Sequence, residues 1–234
     1  METVTFDSNV WESIVDETKL RDDLTSQQLH ELIKGGKIKP YFFEGIVILE
    51  NIPRLQRKKH ISNYSPGNCD IVLNSYLEEK LPEAFELGFT FLKFPRIGIK
   101  SHKIIQDNLA RDEKYSLADR IERSQNCARF IESLGAGKSK LHDGLDGGYG
   151  LGIIMQSKND KSLSSQQYSK RVGEWADGDA VSAHYGYGID YFCTNDKAGN
   201  AGAASVFHQD NRQKLFDEYG VNVLSPVELI AELA

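Results

Sequence analysis

Thr3-Val4-Thr5-Phe6-Asp7-Ser8-Asn9-Val10-Trp11 is the stretch from which the architecture of this chain can be read. Residues 3–6 are β-branched and aromatic, which suits a pleated strand. Asp7-Ser8-Asn9 follows at once, and short polar side chains of this kind stop strands and cap helices. Strand, acidic turn and helix together make the opening unit of an α/β fold. Working outward, Ser26–Lys34 carries Leu29, Leu32 and Ile33 on one face and ends at Gly35-Gly36, an amphipathic helix with a glycine stop. Lys37–Phe43 reads as the second strand, with Pro40 marking a strand start or an edge. A helix near Glu44–Leu55, carrying Ile46, Ile48, Leu49 and Ile52, is expected next.

The same alternation returns at the far end. Asp179–Tyr187 reads as a helix, Ile189–Thr194 as a strand, Asp210–Tyr219 as a helix stopped by Gly220, and Val221–Leu224 as a strand. A last helix, Pro226–Leu233, stands behind a Ser225 cap with proline in its first turn. Strands joined through helices by short connections imply a parallel sheet covered on both faces. The expected fold is therefore α/β: a three-layer α/β/α sandwich around a mostly parallel sheet, one domain built from about 1–55 and 166–234. The middle, about 56–165, breaks the rhythm and is expected to be a mostly helical insertion. Within it Phe89–Ile99 reads as a strand pair or an irregular apolar segment. Ser116–Leu134 reads as a helix with Leu117, Ile121, Phe130 and Ile131 near helical spacing, and Gly144–Gly152 and Ser157–Gln167 read as loops.

Composition narrows the function classes. With 40% hydrophobic and 26% charged residues among 234, the chain is neither a disordered tail nor a fibre. Lys and Arg number 28 against 34 Asp and Glu, a net charge of −6, which excludes a surface that wraps nucleic acid throughout and leaves room only for a local basic patch. Cys69, Cys127 and Cys193 are odd in number and form no CxxC, so neither a disulfide framework nor a thiolate zinc site is indicated. Met1–Asp7 lacks the basic and apolar stretches of a secretory signal. The apolar run Gly45–Leu49 is far short of the ~20 residues that span a bilayer. A cytoplasmic protein is expected.

Ligands of open parallel sheets bind beyond the carboxyl ends of the strands, which singles out a few acids. Asp7 follows the first strand, and Asp196 follows the strand that ends in Thr194-Asn195-Asp196-Lys197. Asp179 starts the helix leading into that strand, and Glu50 lies on the helix after the second strand. Carboxylates gathered in one pocket repel one another unless a cation neutralises them, and an oxygen-only donor set selects Mg²⁺ or Mn²⁺. Each acid also has an ordinary structural role open to it, as a helix cap, a turn residue or a solvated helix face. Glu44, at the helix entry, is held in reserve for Glu50. Six residues apart on a helix, the two point about 240° apart and should not both face one ion.

The ordered set of motifs resembles the PIN domain family, metal-dependent nucleases that include many bacterial toxin ribonucleases. The resemblance covers about the first 55 and the last 65 to 70 residues. Val4-Thr5-Phe6-Asp7-Ser8-Asn9-Val10-Trp11 is similar to the family's opening strand, acid, small residue, Asn and apolar pair. Asp179-Ala180-Val181-Ser182-Ala183-His184 is similar to its third-acid helix, Tyr191-Phe192-Cys193-Thr194-Asn195-Asp196 to its strand ending in Thr-x-Asp, and Gly220–Pro226 to its closing strand and helix start. The resemblance implies that Asp7, Glu50, Asp179 and Asp196 hold one or two Mg²⁺ or Mn²⁺ ions that activate water against a phosphodiester, with Asn9, Thr194 and Glu44 in support. It implies an RNA substrate more than DNA, no membrane, and a toxin, RNA-processing or defence role. An antitoxin or other protein partner, or a homodimer, would accompany such roles.

A nuclease must also hold a polyanion against its own acids. Arg54, Arg57, Lys58 and Lys59 follow the Glu50 helix and could contact phosphates; their ordinary role is a solvated helix end. Lys93, Arg96, Lys100 and Lys103, with Phe91 and Phe94 among them, form a weaker second set. Gly135-Ala136-Gly137-Lys138-Ser139 is not a phosphate loop, because Glu132 stands where the first glycine is needed. His142 and His184 lack partners at metal-ligand spacing, and His184 reads as a helix-surface residue. Two rivals remain. A haloacid-dehalogenase-like phosphatase also opens with strand-Asp, but needs a second Asp where Asn9 stands. A PIN-like fold kept as a nucleic-acid or protein binding module would use the acids only as caps.

Overall fold

Val4 and Phe6 point to one side of strand β1 (Glu2–Phe6) while Thr5 points to the other, the two-residue alternation of a strand buried on both faces. The computed structural model describes residues 1–47, 51–57 (Arg54 without its side chain), 59, 72–94, 103–111, 114–137, 164–198 and 202–234. Strands β1, β2 (Ile38–Phe43), β3 (Thr90–Leu92), β4 (Tyr191–Cys193) and β5 (Asn222–Leu224) form one all-parallel sheet in the order β3-β2-β1-β4-β5. The expected α/β architecture is present.

Each face of the sheet has its own core, which makes the layers. On one side α1 (Ser8–Val15), α3 (Leu24–Lys34) and α4 (Ser75–Glu86) set Trp11, Ile14, Leu29 and Leu81 against Val4, Phe6, Phe42 and Phe91. On the other, α6 (Leu117–Ser133), the carboxyl-terminal half of α7 (Ser165–Tyr187) and α8 (Gln209–Tyr219) set Ile131, Val181 and Leu215 against Tyr41, Phe43, Phe192 and Val223. Each large side chain fully buried in these clusters contributes about 1.5–3 kcal/mol. Short helices α2 (Glu17–Asp22) and α5 (Lys103–Asp107) and the closing α9 (Pro226–Glu232) complete nine helices among the described residues. Ser225 caps α9 through a reciprocal bond pair with Glu228, as its sequence predicts. No helix among the described residues is long and apolar enough to cross a membrane.

Several sequence expectations change. Pro40 lies on an interior strand; β3 joins β2 only from Tyr41 onward, so Pro40 sits on a stretch that is an edge locally. The segment expected as an insertion supplies the edge strand β3, and Leu77, Leu81, Ala84 and Phe89 from it lie in the first core. Phe89–Ile99 therefore starts with one sheet strand; residues 95–99 lie outside those described, as does Gly144–Gly152. Ser164, expected within a loop, caps α7 with Gln167 in a capping box. Leu117 and Ile121 are exposed, and α6 instead buries Arg120, Ser124, Cys127, Ala128 and Ile131.

Small residues cause that rotation of α6, because they let its backbone approach α7. A Cβ added at Gly186 would overlap Ser124 Oγ and come within 2.9 Å of the Arg120 carbonyl oxygen. A Cβ added at Gly178 would come within 3.0 Å of the Gly137 Cα, and the φ of +61° at Gly137 also favours glycine, which gives Gly137 of the phosphate-loop-like stretch a packing role. Gly186→Ala is accordingly expected to lower stability by about 1–3 kcal/mol through overpacking. Chemical denaturation measures it, and an unchanged midpoint would refute the close contact.

Candidate functional site

The carboxyl ends of β1 and β4 are joined by a bond from the Asp7 N–H to the Cys193 carbonyl, 2.9 Å long. That junction brings Asp7 and Asp196 together. The sheet order reverses between these two strands, because β2 and β3 extend to one side of β1 and β5 lies beyond β4. A parallel sheet opens a crevice at such a switch point, since the connections leave in opposite directions.

Thr194 is the hub. Its hydroxyl donates to Asp7 Oδ2 at 2.7 Å and accepts from the Asp196 N–H at 3.0 Å and from Asn9 Nδ2 at 3.3 Å. Asn9 Nδ2 also donates to Asp7 Oδ2, at 2.8 Å, and Asn9 Oδ1 accepts from the Asn195 N–H at 2.9 Å. Asp7 Oδ1 accepts from the Ser8 N–H and so caps α1, while Asp196 Oδ1 accepts from the Ala198 N–H at 2.6 Å. Ala198 has a φ of +57°, left-handed backbone in a non-glycine residue two positions after the acid. Burial pushes the Asp7 carboxyl above its ordinary range and the Asp196 charge adds to this, against the three hydrogen bonds that favour ionisation. Thr194→Val should cost about 1–3 kcal/mol by stranding the Asp196 N–H and one Asp7 bond. An unperturbed melting temperature would show that the hydroxyl is dispensable.

A second pair of acids lies on the same side of the fold. Glu44, 3% exposed at the end of β2, accepts from the Phe94 N–H through Oε1 at 3.0 Å. Burial pushes its carboxyl up to about 7; Lys93 and the Phe94 bond lower it, and Asp179 is close enough that its charge raises it further. Asp179 is buried well inside α7, not at a helix start as expected, because the helix begins at Ser165. Beside Asp7 runs a pinched cleft of about 20 Å³, lined also by Phe43, Gly45, Asp177 and Ala180 among others. Such a space holds about one water-sized species.

Asp177 escaped the sequence reading. Two residues from Asp179, it points about 200° away around the helix, and the sequence gives no sign of which acid turns toward the cleft. Glu50 and Lys58 lie outside the described residues, as does the Arg54 side chain, while Glu44 is the acid found beside Asp179. Arg57 is not on a solvated helix end: it is buried, and its Nε donates to the Ile52 carbonyl at 3.3 Å. Lys59 is exposed. Phe91 and Phe94 are core residues and offer no stacking surface. His184, expected on a helix surface, is 1% exposed, with Nδ1 paired to Thr5 Oγ1 at 2.9 Å.

No family model, no curated protein and no solved structure matches this chain. Among the described residues no three His, Cys, Asp or Glu side chains stand together as one metal-holding group. The donors beside Asp7 are nonetheless all oxygen, and Mg²⁺ is commonly held by only one or two carboxylates, with waters and substrate phosphates completing its shell. Burial above all, and the Asp196 charge with it, disfavours the Asp7 carboxylate, and a cation held there would offset that cost. The residues present fit a hard divalent ion.

Proposed function

We propose that this chain is a PIN-type nuclease, dependent on Mg²⁺ or Mn²⁺, that hydrolyses phosphodiester bonds in RNA. One observation carries the reading: Asp7 and Asp196 stand together where the sheet order reverses, the Asp7 carboxylate and the Asp196 backbone N–H both bonded to one threonine hydroxyl. A cation bound there would supply Lewis acidity and lower the pKa of water. Asp7 and Asp196 would hold it, with Asp177 and the buried pair Glu44 and Asp179 as further carboxyl groups at the same end of the sheet. Thr194 and Asn9 fix the rotamer of Asp7 by donating to its Oδ2, which reserves the carboxylate for one direction of approach.

The test is a panel of single-stranded RNA, duplex RNA and DNA incubated with Mn²⁺ and with EDTA. Cleavage of RNA in Mn²⁺ and none in EDTA is the expected result; cleavage in neither overturns the proposal. A non-catalytic binding module is the second reading, favoured by the backbone bonds that both acids accept, Asp7 from Ser8 at the start of α1 and Asp196 from Ala198 in the turn after β4. Binding without cation dependence would select it. The phosphatase reading lacks a proton donor where Asn9 stands, since both ends of that amide are engaged with Asp7, Thr194 and Asn195.

A further inference from the structure

The loop that carries Asp196 runs directly into a second groove. Lys197, exposed and one residue beyond the acid, opens a channel of about 600 Å³ between α8 and the edge strand β5. One face of α8 forms its wall: Gln209, Arg212, Gln213 and Phe216 recur at helical spacing and all line it. Phe216 is 53% exposed, a large aromatic ring turned outward on a helix whose apolar residue Leu215 is fully buried in the core. Arg212 donates one N–H to the Val223 carbonyl of β5, which holds its guanidinium over the sheet edge with further N–H groups on the same fork. The one acid among the described lining residues, Glu228, is held low by the Ser225 N–H and hydroxyl, with Arg212 and Lys197 near enough to lower it further. Two cations thus face one carboxylate in a groove that begins where the proposed active site ends.

We infer that this groove is a subsite for single-stranded RNA leaving the Asp7–Asp196 crevice, with a backbone phosphate at Lys197 and Arg212 and an unpaired base stacked on Phe216. The inference rests on the nuclease reading for its substrate. Its own ground is the combination that sequence-tolerant single-strand sites use, cationic side chains along a channel with an exposed aromatic face beside them. A volume of about 600 Å³ is within the ~300–1,000 Å³ range of sites for small ligands, which matches a nucleotide or two. Gln209 and Gln213, exposed on the same helix face, supply amide donors and acceptors that can meet base edges without fixing one sequence.

The experiment measures binding of a fluorescently labelled single-stranded oligoribonucleotide to the full chain by anisotropy, in EDTA so that cleavage and cation-bridged contact with the acids are both silent. Phe216→Ala is expected to weaken binding by about five- to a hundredfold. Lys197→Ala should reduce the slope of log affinity against log salt by ~0.7. Leu117→Ala, an exposed apolar residue on α6, serves as the control and should bind as the parent chain does. Thermal melts of all variants exclude misfolding. Parent-like affinity and salt slope in both groove variants overturn the subsite, whatever the cleavage panel gives. RNA binding lost in these variants, by a chain that cleaves nothing in Mn²⁺, keeps the subsite and refutes the nuclease reading. Sedimentation that shows Phe216→Ala abolishing self-association, with RNA affinity unchanged, assigns the groove to protein contact and also overturns the inference.

Discussion

Asp196→Asn is expected to reduce RNA cleavage in Mn²⁺ by about a thousandfold or more while the protein stays folded. The magnitude follows from several kcal/mol of transition-state charge stabilisation lost with the cation, at 1.36 kcal/mol for each factor of ten. Folding should survive because Asn retains the Oδ1 acceptor that the Ala198 N–H uses. Asp7→Asn should abolish cleavage as well, but it is the less clean variant. Asp7 Oδ2 accepts from both Thr194 and Asn9, so an amide there confronts the Asn9 donor, and Asn9 cannot turn over without losing its bond to the Asn195 N–H. That clash costs about 1–3 kcal/mol, offset by removal of a carboxylate that burial disfavours. Cleavage rates and EDTA melts on both variants check the prediction. Full activity of Asp196→Asn would remove Asp196 from the site, and collapse of the fold in that variant would make its turn the essential role.

The second large effect is on stability against pH. Burial lowers the His184 pKa from 6.5 to about 3, so the folded chain holds this ring neutral where the unfolded chain protonates it. Its contribution is complete above about pH 6.5 and is lost as pH falls toward 3, a difference of about 5 kcal/mol. Glu44 works with the opposite sign. Its carboxyl rises from 4.5 to about 7, so the folded chain binds the extra proton between those values and loses about 3 kcal/mol as pH rises through them. Asp7 is raised in the same direction. Between about pH 4.5 and 6.5 the two trends largely offset, and below 4.5 the His184 loss stands exposed. Asp16, held low by the Thr18 hydroxyl, and Glu228, held low by the Ser225 N–H, add to acid loss there, so a difference between variants is the informative quantity. Urea titrations from pH 3 to 8 in EDTA should show a shallower acid limb for His184→Asn than for the parent chain. Glu44→Gln, which retains the Phe94 bond, should remove the loss between about pH 4.5 and 7 and so unmask a rise in stability from pH 4.5 to 6.5 where the parent chain is nearly flat. Parallel curves for parent and His184→Asn would mean that the ring is charged or solvated in the folded state.

His184 also shows where sequence reading stops. In Asp179-Ala180-Val181-Ser182-Ala183-His184 the helix itself is plain, yet a histidine five residues after an acid gives no sign of which layer lies beneath it. The ring is buried because Thr5, 179 positions away, offers a hydroxyl at 2.9 Å and Phe192 an aromatic edge. Similarly, Arg57 reads as one of a run of surface cations and lies buried, its long stem and guanidinium taken up by neighbours that the local sequence does not reveal.

What the sequence determines by itself is local and periodic: the strands around Val4 and Phe42, the Ser225 cap, the glycine stop at Gly220, and the acid that ends β1. These follow from φ/ψ preference, side-chain alternation and capping chemistry, all of which act within a few residues. The tertiary structure alone decides that the middle of the chain supplies β3, that α6 turns its small residues toward Gly186, and that Asp7 meets Asp196 while Glu44 meets Asp179. The physical reason is that strand order and helix rotation are set by which distant surfaces fill one another. A carboxylate's environment is then fixed by whatever those surfaces bring within a few ångströms of it.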